Sequence, residues 1–145
     1  TVTDAKGKKI AAGNYTLKYE NNKNVGTATV TITFKGNYSG TKKLEFTINP
    51  KGTSIKKLTA GKKKFTAQWG KQATQTTGYE IQYSTSNKFT KSTTKSATVN
   101  NKTTKKEFTK LSAKRKYYVR IRTYKTVKGK KYYSSWSSVK SVTTK

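Results

Sequence analysis

The sequence predicts an all-β protein made of two tandem antiparallel β modules, the second of them a seven-stranded sandwich. Apolar and polar residues alternate over much of the chain, which is the two-residue period of a strand. Thr, Val and Tyr, which favour strands, are abundant, and there are ten tyrosines. No segment repeats apolar residues at helical spacing, so helices are not expected.

The first module covers residues 1–49 and is predicted to be a β-meander with one solvent-exposed face. Tyr15, Leu17 and Tyr19 alternate with polar residues, and so do the apolar residues of 25–34 and 44–48. Asn- and Gly-rich segments between these runs predict turns, because Asn and Gly tolerate left-handed backbone. The only proline, Pro50, cannot continue a strand ladder. We therefore place a linker at residues 50–52 and the second module at residues 53–145.

The second module contains seven strand candidates, the number expected of an immunoglobulin-like sandwich. Their apolar residues recur at every second position, as at Phe65, Ala67 and Trp69. An irregular stretch is expected at residues 88–95. The predicted strands cover residues 54–60, 64–69, 78–84, 97–99, 107–111, 117–124 and 133–142.

Four segments of residues 53–145 resemble a bacterial fibronectin type III domain: FTAQW, GYEIQYSTS, LSAKRKYYVRIRTY and YSSWSSVKSVTT. The resemblance implies that Trp69 anchors the core and that Tyr117 forms a tyrosine corner, with Leu111 plugging the same end. Such sandwiches host many unrelated functions, so the fold does not name a ligand. The integrin-binding Arg-Gly-Asp tripeptide of the family is absent.

Residues 1–49 resemble the tail of a repeated immunoglobulin-like module from large surface proteins of Gram-positive gut bacteria. The segment that carries the resemblance is GNYTLKYENNKNVGTATVTITFKGNYSGTKKLEFTINP. That family has further strands upstream of the part matching Thr1, so we expect a partial module with an unfilled edge or groove. An open edge invites pairing with another chain. The resemblance also implies a bacterial protein that is extracellular or at the cell surface.

The charge of the chain is strongly positive and unevenly distributed. There are 33 Lys+Arg against five Asp+Glu, which gives a net charge of +28. Residues 1–49 carry +5 of this and residues 50–145 carry +23. With no His, no Cys and no two acids in one motif, the usual groups for acid–base catalysis and metal binding are missing. We predict no enzymatic activity, no catalytic residue, no cofactor and no metal, and no apolar run predicts a membrane span.

The basic residues of the second module concentrate in its turns. In the predicted sandwich the turns after strands one, three and five share one pole. Repulsion among so many like charges lowers the stability of the fold. A need for solubility alone therefore explains the positive charge poorly. We predict a polyanion-binding site at this pole, made of Lys62, Lys63, Lys64, Lys88, Lys114, Arg115 and Lys116. A second patch at the opposite pole combines cations with aromatic rings: Lys128, Lys130, Lys131, Tyr132 and Tyr133.

Arg120 and Arg122 alternate with Val119 and Ile121, so both are predicted to face solvent, beside Trp136 of the last strand. A cation–π stack among them would contribute about 0.5–2 kcal/mol. The segment YSSWSS resembles the Trp-Ser box of cytokine-receptor fibronectin domains. We therefore favour a role in stabilising the sheet over a ligand site.

The preference for Lys over Arg favours a partner that is bound through its charge, without sequence specificity. Three Arg against 30 Lys argues against base-specific recognition, in which bidentate Arg predominates. The expected ligand is an anionic polymer, teichoic acid or an acidic glycan, while nucleic acid would bind only nonspecifically. Two alternatives stay open. One is a structural spacer or self-assembly unit with homotypic contact through the edge of residues 1–49, and the other is a C-terminal accessory domain of a secreted enzyme.

Overall fold

Strands make up almost all the regular structure of the chain, and the one exception is a 3-10 turn at Ala12–Asn14. The computed structural model describes residues 1–145, which separate into the units Thr1–Ile48 and Asn49–Lys145. The predicted all-β class is confirmed. No helix of the protein has the length and apolar character required to span a membrane.

The first unit is a three-stranded antiparallel sheet in the order β1–β2–β3. The strands are β1 at Tyr15–Glu20, β2 at Gly26–Phe34 and β3 at Thr41–Ile48. Ahead of the sheet, Asp4 organises a tight turn, because its Oδ1 accepts the N–H groups of Lys6 and Lys8, both at 2.9 Å. The meander that the alternation predicts is therefore present.

The apolar face of this sheet is covered only at its centre. Tyr19, Val30 and Leu44 are aligned across the three strands, so their side chains share one face. On the central strand, Ala28 and Ile32 are buried. The outer strands leave four large apolar side chains between 38% and 50% exposed: Leu17, Tyr19, Leu44 and Phe46. The uncovered part of the first unit is thus a sheet face.

The second unit is a sandwich of two antiparallel sheets. One has the strand order β4–β5–β8, and the other has the order β10–β9–β6–β7, with β11 also paired to β9. The strands are β4 Ile55–Gly61, β5 Lys64–Trp69, β6 Gly78–Ser84, β7 Thr94–Asn100, β8 Lys105–Phe108, β9 Lys116–Val127, β10 Lys130–Tyr133 and β11 Lys140–Thr143. The strands predicted at 64–69 and 78–84 have the bounds of β5 and β6.

Three predicted strands have wrong boundaries. The single strand expected over 133–142 is two strands, β10 and β11, which pair with opposite ends of β9. Between them residues 134–139 leave the strand conformation. The strand expected over 107–111 ends at Phe108, so Leu111 lies in the following loop. The polar edge strand β7 also starts at Thr94, inside the stretch predicted to be irregular.

The core lies between the two sheets and is filled by alternate residues of facing strands. Phe65 and Trp69 of β5 and Tyr79 of β6 are at most 3% exposed. Phe65 stacks on Phe108 with ring centroids 5.0 Å apart, and Trp69 meets Tyr79 edge to face at 5.6 Å. Burying a side chain of this size contributes about 1.5–3 kcal/mol, so these rings dominate the stability of the sandwich.

Tyr117 and Leu111 close one end of this core. The Tyr117 hydroxyl accepts the N–H of Ser112 at 3.1 Å, five residues before it in the chain, which is the geometry of a tyrosine corner. Leu111 is 7% exposed and packs in the same cluster. The corner fixes the loop that precedes β9, which carries several basic residues.

Candidate polyanion-binding site

Backbone hydrogen bonds join three segments of the chain at this end of the sandwich. The N–H of Leu111, in the β8–β9 loop, donates to the carbonyl of Lys63, in the β4–β5 turn, at 3.0 Å. The N–H of Lys63 donates to the Lys145 carbonyl at 2.8 Å, and the Lys145 N–H donates to the Gly61 carbonyl at 2.8 Å. The two turns and the C-terminal segment are therefore held at fixed separations.

Thr144 adds a side-chain anchor to this junction. Its hydroxyl donates to the Ser112 carbonyl at 2.6 Å and accepts the N–H of Arg115 at 3.1 Å. The residue itself is 3% exposed. The basic residues around the junction are exposed and form what we call the corner cluster: Lys62, Lys63, Lys110, Lys114, Arg115, Lys116 and Lys145.

Five of the seven residues predicted for this pole belong to the corner cluster, and the other two, Lys64 and Lys88, lie at the same end of the sandwich but outside the cluster. The Nζ of Lys64 is 3.0 Å from Glu107 Oε1, so an acid offsets its charge. Lys88 belongs to the β6–β7 loop, whose Phe89 packs on Arg120 of the outer sheet face.

The structure adds Lys110 and Lys145 to the site, which the sequence analysis missed. Lys110 lies in the same β8–β9 loop as Lys114 and Arg115, and Lys145 reaches the corner through its backbone hydrogen bonds with Lys63 and Gly61. The one signal for Lys110 was its position directly before Leu111, the predicted plug.

Three lysines of the corner cluster have left-handed backbone. Their φ angles are 52° at Lys63, 57° at Lys110 and 48° at Lys114. A residue with a Cβ in this region is disfavoured by roughly 1 kcal/mol or more, and Gly or Asn would be less strained. Replacing these lysines with Gly or Asn would therefore relieve strain and stabilise the fold, but it would remove their charge.

Ion pairs inside the second unit leave the corner cluster untouched. The unit contains two acids, Glu80 and Glu107. Glu80 Oε2 lies 2.7 Å from Arg122 Nη2, and Glu107 pairs with Lys64. Neither acid pairs with a residue of the corner cluster, although Glu107 and its partner Lys64 lie next to it. The charge of the cluster is screened over roughly 8 Å at physiological salt.

The opposite end of the sandwich is organised around the β9–β10 hairpin. Lys128 and Gly129 form its two-residue turn, and their φ angles of 48° and 80° are those of a type I′ turn. The Thr77 N–H donates to the Tyr124 carbonyl at 2.8 Å, which ties the β5–β6 loop to this hairpin. We call its basic residues the hairpin cluster: Lys125, Lys128, Lys130 and Lys131.

The aromatic part of the predicted second patch differs from expectation. Tyr132 is 8% exposed and Lys130 Nζ lies 5.2 Å from its ring centroid, so it offers no platform to a ligand. Tyr133 is covered by the Arg122 guanidinium, 3.8 Å from its ring centroid. Tyr124 also lies beneath a cation, with Lys131 Nζ 4.8 Å from its centroid. The hairpin end therefore presents mainly positive charge.

Cations and rings alternate on the outer face of β9. Adjacent members are 3.8–4.4 Å apart, measured from guanidinium carbon to ring centroid. Each guanidinium lies between two rings, which leaves neither of its faces open to a ligand. The stack runs in the order Phe89, Arg120, Trp136, Arg122 and Tyr133.

Strand β6 holds both guanidinium groups in place. Gln82 Oε1 accepts Nε and Nη2 of Arg120 at 3.0 and 2.7 Å, and Glu80 Oε2 accepts Nε of Arg122 at 2.8 Å. Burial lowers the pKa of Arg120, the neighbouring charge of Arg122 lowers it further, and Glu80 opposes both. The stack thus brings two like charges together and offsets their repulsion with one carboxylate and three rings.

Two serines of YSSWSS hold Trp136 in this stack. The N–H groups of Ser134 and Ser137 donate to the carbonyls of Thr123 and Ile121 at 3.1 and 2.8 Å. Their hydroxyl oxygens accept the N–H groups of the same two residues at 3.0 and 3.1 Å. Each serine therefore satisfies both backbone groups of one β9 residue without being part of a strand.

The comparisons with known proteins agree with this architecture. The sequence model of the "Fibronectin type III domain" family matches residues 49–140. The chain belongs to the fibronectin type III family. Domains of this family are typically non-catalytic structural or binding modules, and they are commonly extracellular. The bacterial origin and the immunoglobulin-like repeat at residues 1–49 stay predictions.

A solved structure shows the same fold. The FN1–FN3 domains of chicken CNTN1 are similar to this chain with a TM-score of 0.55 and 13% sequence identity. The match covers 84% of this chain and 44% of that one, so this fibronectin type III protein spans less than half of the CNTN1 fragment. No curated protein sequence matches the chain.

Proposed function

We propose that the chain is a non-catalytic cationic module that binds anionic polymers outside the cell. The observation that carries the proposal is the corner cluster, seven exposed cations on segments that backbone hydrogen bonds join, none of them in a salt bridge with an acid. An anionic polymer that binds there releases its condensed counterions, which favours association at low salt. The strained backbone at three of these lysines supports a role for their charge.

The chemistry of the cluster favours a polymer with repeated anions and no fixed geometry. Six of its seven members are lysines, which act as point charges on flexible stems, whereas bidentate recognition uses arginine. Teichoic acid of a bacterial wall and acidic glycans fit this description, and attachment of a secreted protein to such a surface is the proposed role. Nucleic acid would bind through the same charge without sequence preference.

Two variants of equal net charge test the proposal. The corner variant carries Lys62→Gln, Lys63→Asn and Lys114→Asn. The control variant carries Lys56→Gln, Lys57→Gln and Lys105→Gln, which are exposed residues outside both clusters. Binding of fluorescently labelled heparin and of purified teichoic acid is measured by anisotropy at low salt.

We expect the corner variant to lose at least about tenfold in affinity, since each lysine near an anionic surface contributes about 1 kcal/mol. The control variant should lose clearly less. Equal losses in the two variants would show that net charge rather than the corner cluster drives binding. Absence of wild-type binding at low salt, or binding unchanged up to molar salt, would refute the proposal itself.

The uncovered sheet face of the first unit favours a second candidate function, self-assembly. Leu17, Tyr19, Leu44 and Phe46 form an exposed apolar surface on a unit whose net charge is only +5. Such surfaces on soluble proteins commonly mark interaction sites. Sedimentation velocity from micromolar to near-millimolar protein tests this candidate, and a strict monomer throughout would exclude it.

A further inference from the structure

We infer that the sandwich is bivalent, with the corner cluster and the hairpin cluster each binding a separate anionic chain, so that one module cross-links two polymers. The inference rests on the proposed polyanion binding and adds a second site and a bridging function to it. Attachment needs only one site, whereas bridging needs two that are far apart and rigidly connected.

Strand β9 sets the distance between the two clusters. It begins at Lys116, a member of the corner cluster, and ends at Val127, next to Lys128 of the hairpin cluster. Its 12 residues span roughly 36 Å at about 3.3 Å per residue. This is several times the screening length of roughly 8 Å at physiological salt, so an anion bound at one end leaves the field at the other end unchanged.

The same strand connects the two ends rigidly. Its register with β6 is unbroken from Gly78 opposite Tyr124 to Ser84 opposite Tyr118. The stack of rings and guanidinium groups covers the middle of this pairing from outside. The two clusters therefore lie at opposite ends of a single rigid body. Bending of the domain cannot bring them together on one polymer chain.

The surface between the clusters interrupts the positive charge on the outer face of β9. Arg120 and Arg122 lie between rings and are bonded to Gln82 and Glu80. On this face a polymer therefore meets no free guanidinium between the two cationic ends.

Left-handed lysines occur at both ends, which argues that both sets of charge have a function. Four of the seven non-glycine residues with positive φ are lysines: Lys63, Lys110 and Lys114 at the corner and Lys128 at the hairpin. In a type I′ turn the first central position favours Asn, Asp or Gly. Lysine there places a charge at the tip of the hairpin at a cost in strain, as in the corner cluster.

Energy transfer between two labelled ligands tests bridging with the full chain. The probe is a heparin octasaccharide prepared in two batches, one with a donor dye and one with an acceptor dye. We expect two oligosaccharides to bind per wild-type protein, with sensitised acceptor emission that decays when the protein is in large excess. The corner variant and a hairpin variant, Lys128→Asn with Lys130→Thr and Lys131→Thr, should each bind one oligosaccharide and lose most of the emission.

The equal-charge control variant, Lys56→Gln, Lys57→Gln and Lys105→Gln, should keep both the stoichiometry of two and the emission. A wild-type stoichiometry of one, or emission retained in either single-end variant, would overturn bridging while leaving polyanion binding intact. Retained emission would assign the energy transfer to dimerisation of the protein and not to bridging by one module, since a dimer of a single-end variant still carries two sites. No binding of the octasaccharide at low salt would overturn both proposals.

Discussion

Trp136 lies between two guanidinium groups, with Arg120 at 4.4 Å and Arg122 at 4.2 Å from its ring. It therefore contributes to both halves of the stack on β9, and no other ring does. Without it, two like charges on one strand would lose the ring that separates them. Phe89 and Tyr133 would cover only the outer guanidinium faces.

We expect Trp136→Ala to destabilise the second unit by about 2–4 kcal/mol, since both cation–π contacts and the buried area of the ring are lost. Urea denaturation should show a lower midpoint with an unchanged slope. Val139→Ala, at a nearby apolar residue that is 44% exposed, serves as the control and should have little effect. Equal stability of Trp136→Ala and wild type would mean that the stack is incidental.

Lys128 gives a test of strain at a single residue. Asparagine is favoured at the first central position of a type I′ turn, and Lys128 has a φ of 48° there. We expect Lys128→Asn to stabilise the protein by about 0.5–1 kcal/mol while weakening polyanion binding. Lys130→Asn, in strand β10, removes the same charge without relieving strain and should not stabilise. A destabilised Lys128→Asn would contradict the idea that stability is given up for charge at this turn.

The segment between β10 and β11 shows how an irregular stretch can complete a sheet. Ser134 and Ser137, three residues apart, use their hydroxyl oxygens to accept N–H groups of β9 that a regular strand would satisfy with carbonyls. Apolar–polar alternation cannot reveal this arrangement, because serine is polar whether or not its hydroxyl replaces a backbone acceptor. For this reason the sequence predicted one continuous strand there.

Replacing Ser137 by Ala should cost about 1–3 kcal/mol, because the N–H of Ile121 loses its acceptor in a buried position. Ser135→Ala is the matched control, since the exposed Ser135 uses only its backbone carbonyl in this network. Amide hydrogen exchange measured by NMR should speed up at Ile121 in Ser137→Ala and not in Ser135→Ala. Unchanged protection of Ile121 in both variants would show that water replaces the hydroxyl without cost.

Sequence reasoning succeeded where both strand ends carry turn signals and the alternation is strong. Strands β5 and β6 meet these conditions, with Phe65 and Trp69 or Tyr79 and Ile81 buried at period two. It did less well at the candidate site. The basic turns could be predicted, but the pairing of Lys64 with Glu107 and the approach of Lys145 to the β4–β5 turn depend on contacts between distant segments. Spacing within one strand or turn carries no information about such contacts.

For the molecule as a whole, a net charge of +28 contributes to binding only where the charged side chains are accessible to a ligand. The fold pairs the two acids of the second unit with Arg122 and Lys64 and leaves the corner cluster and the hairpin cluster without an ion pair. It places strained lysines at the ends instead. The central claim is therefore that the position of the charge, and not its total, determines binding to anionic polymers.

The salt dependence of binding tests this claim most directly, with duplex DNA as a polyanion of known counterion release. The slope of log Kobs against log salt changes by roughly 0.9 for each cation that contacts the duplex. We predict that the slope of the corner variant is less steep than that of wild type by about 2–3, and that the slope of the equal-charge control variant changes by less than about 1. An equal change of slope in the two variants would contradict the account.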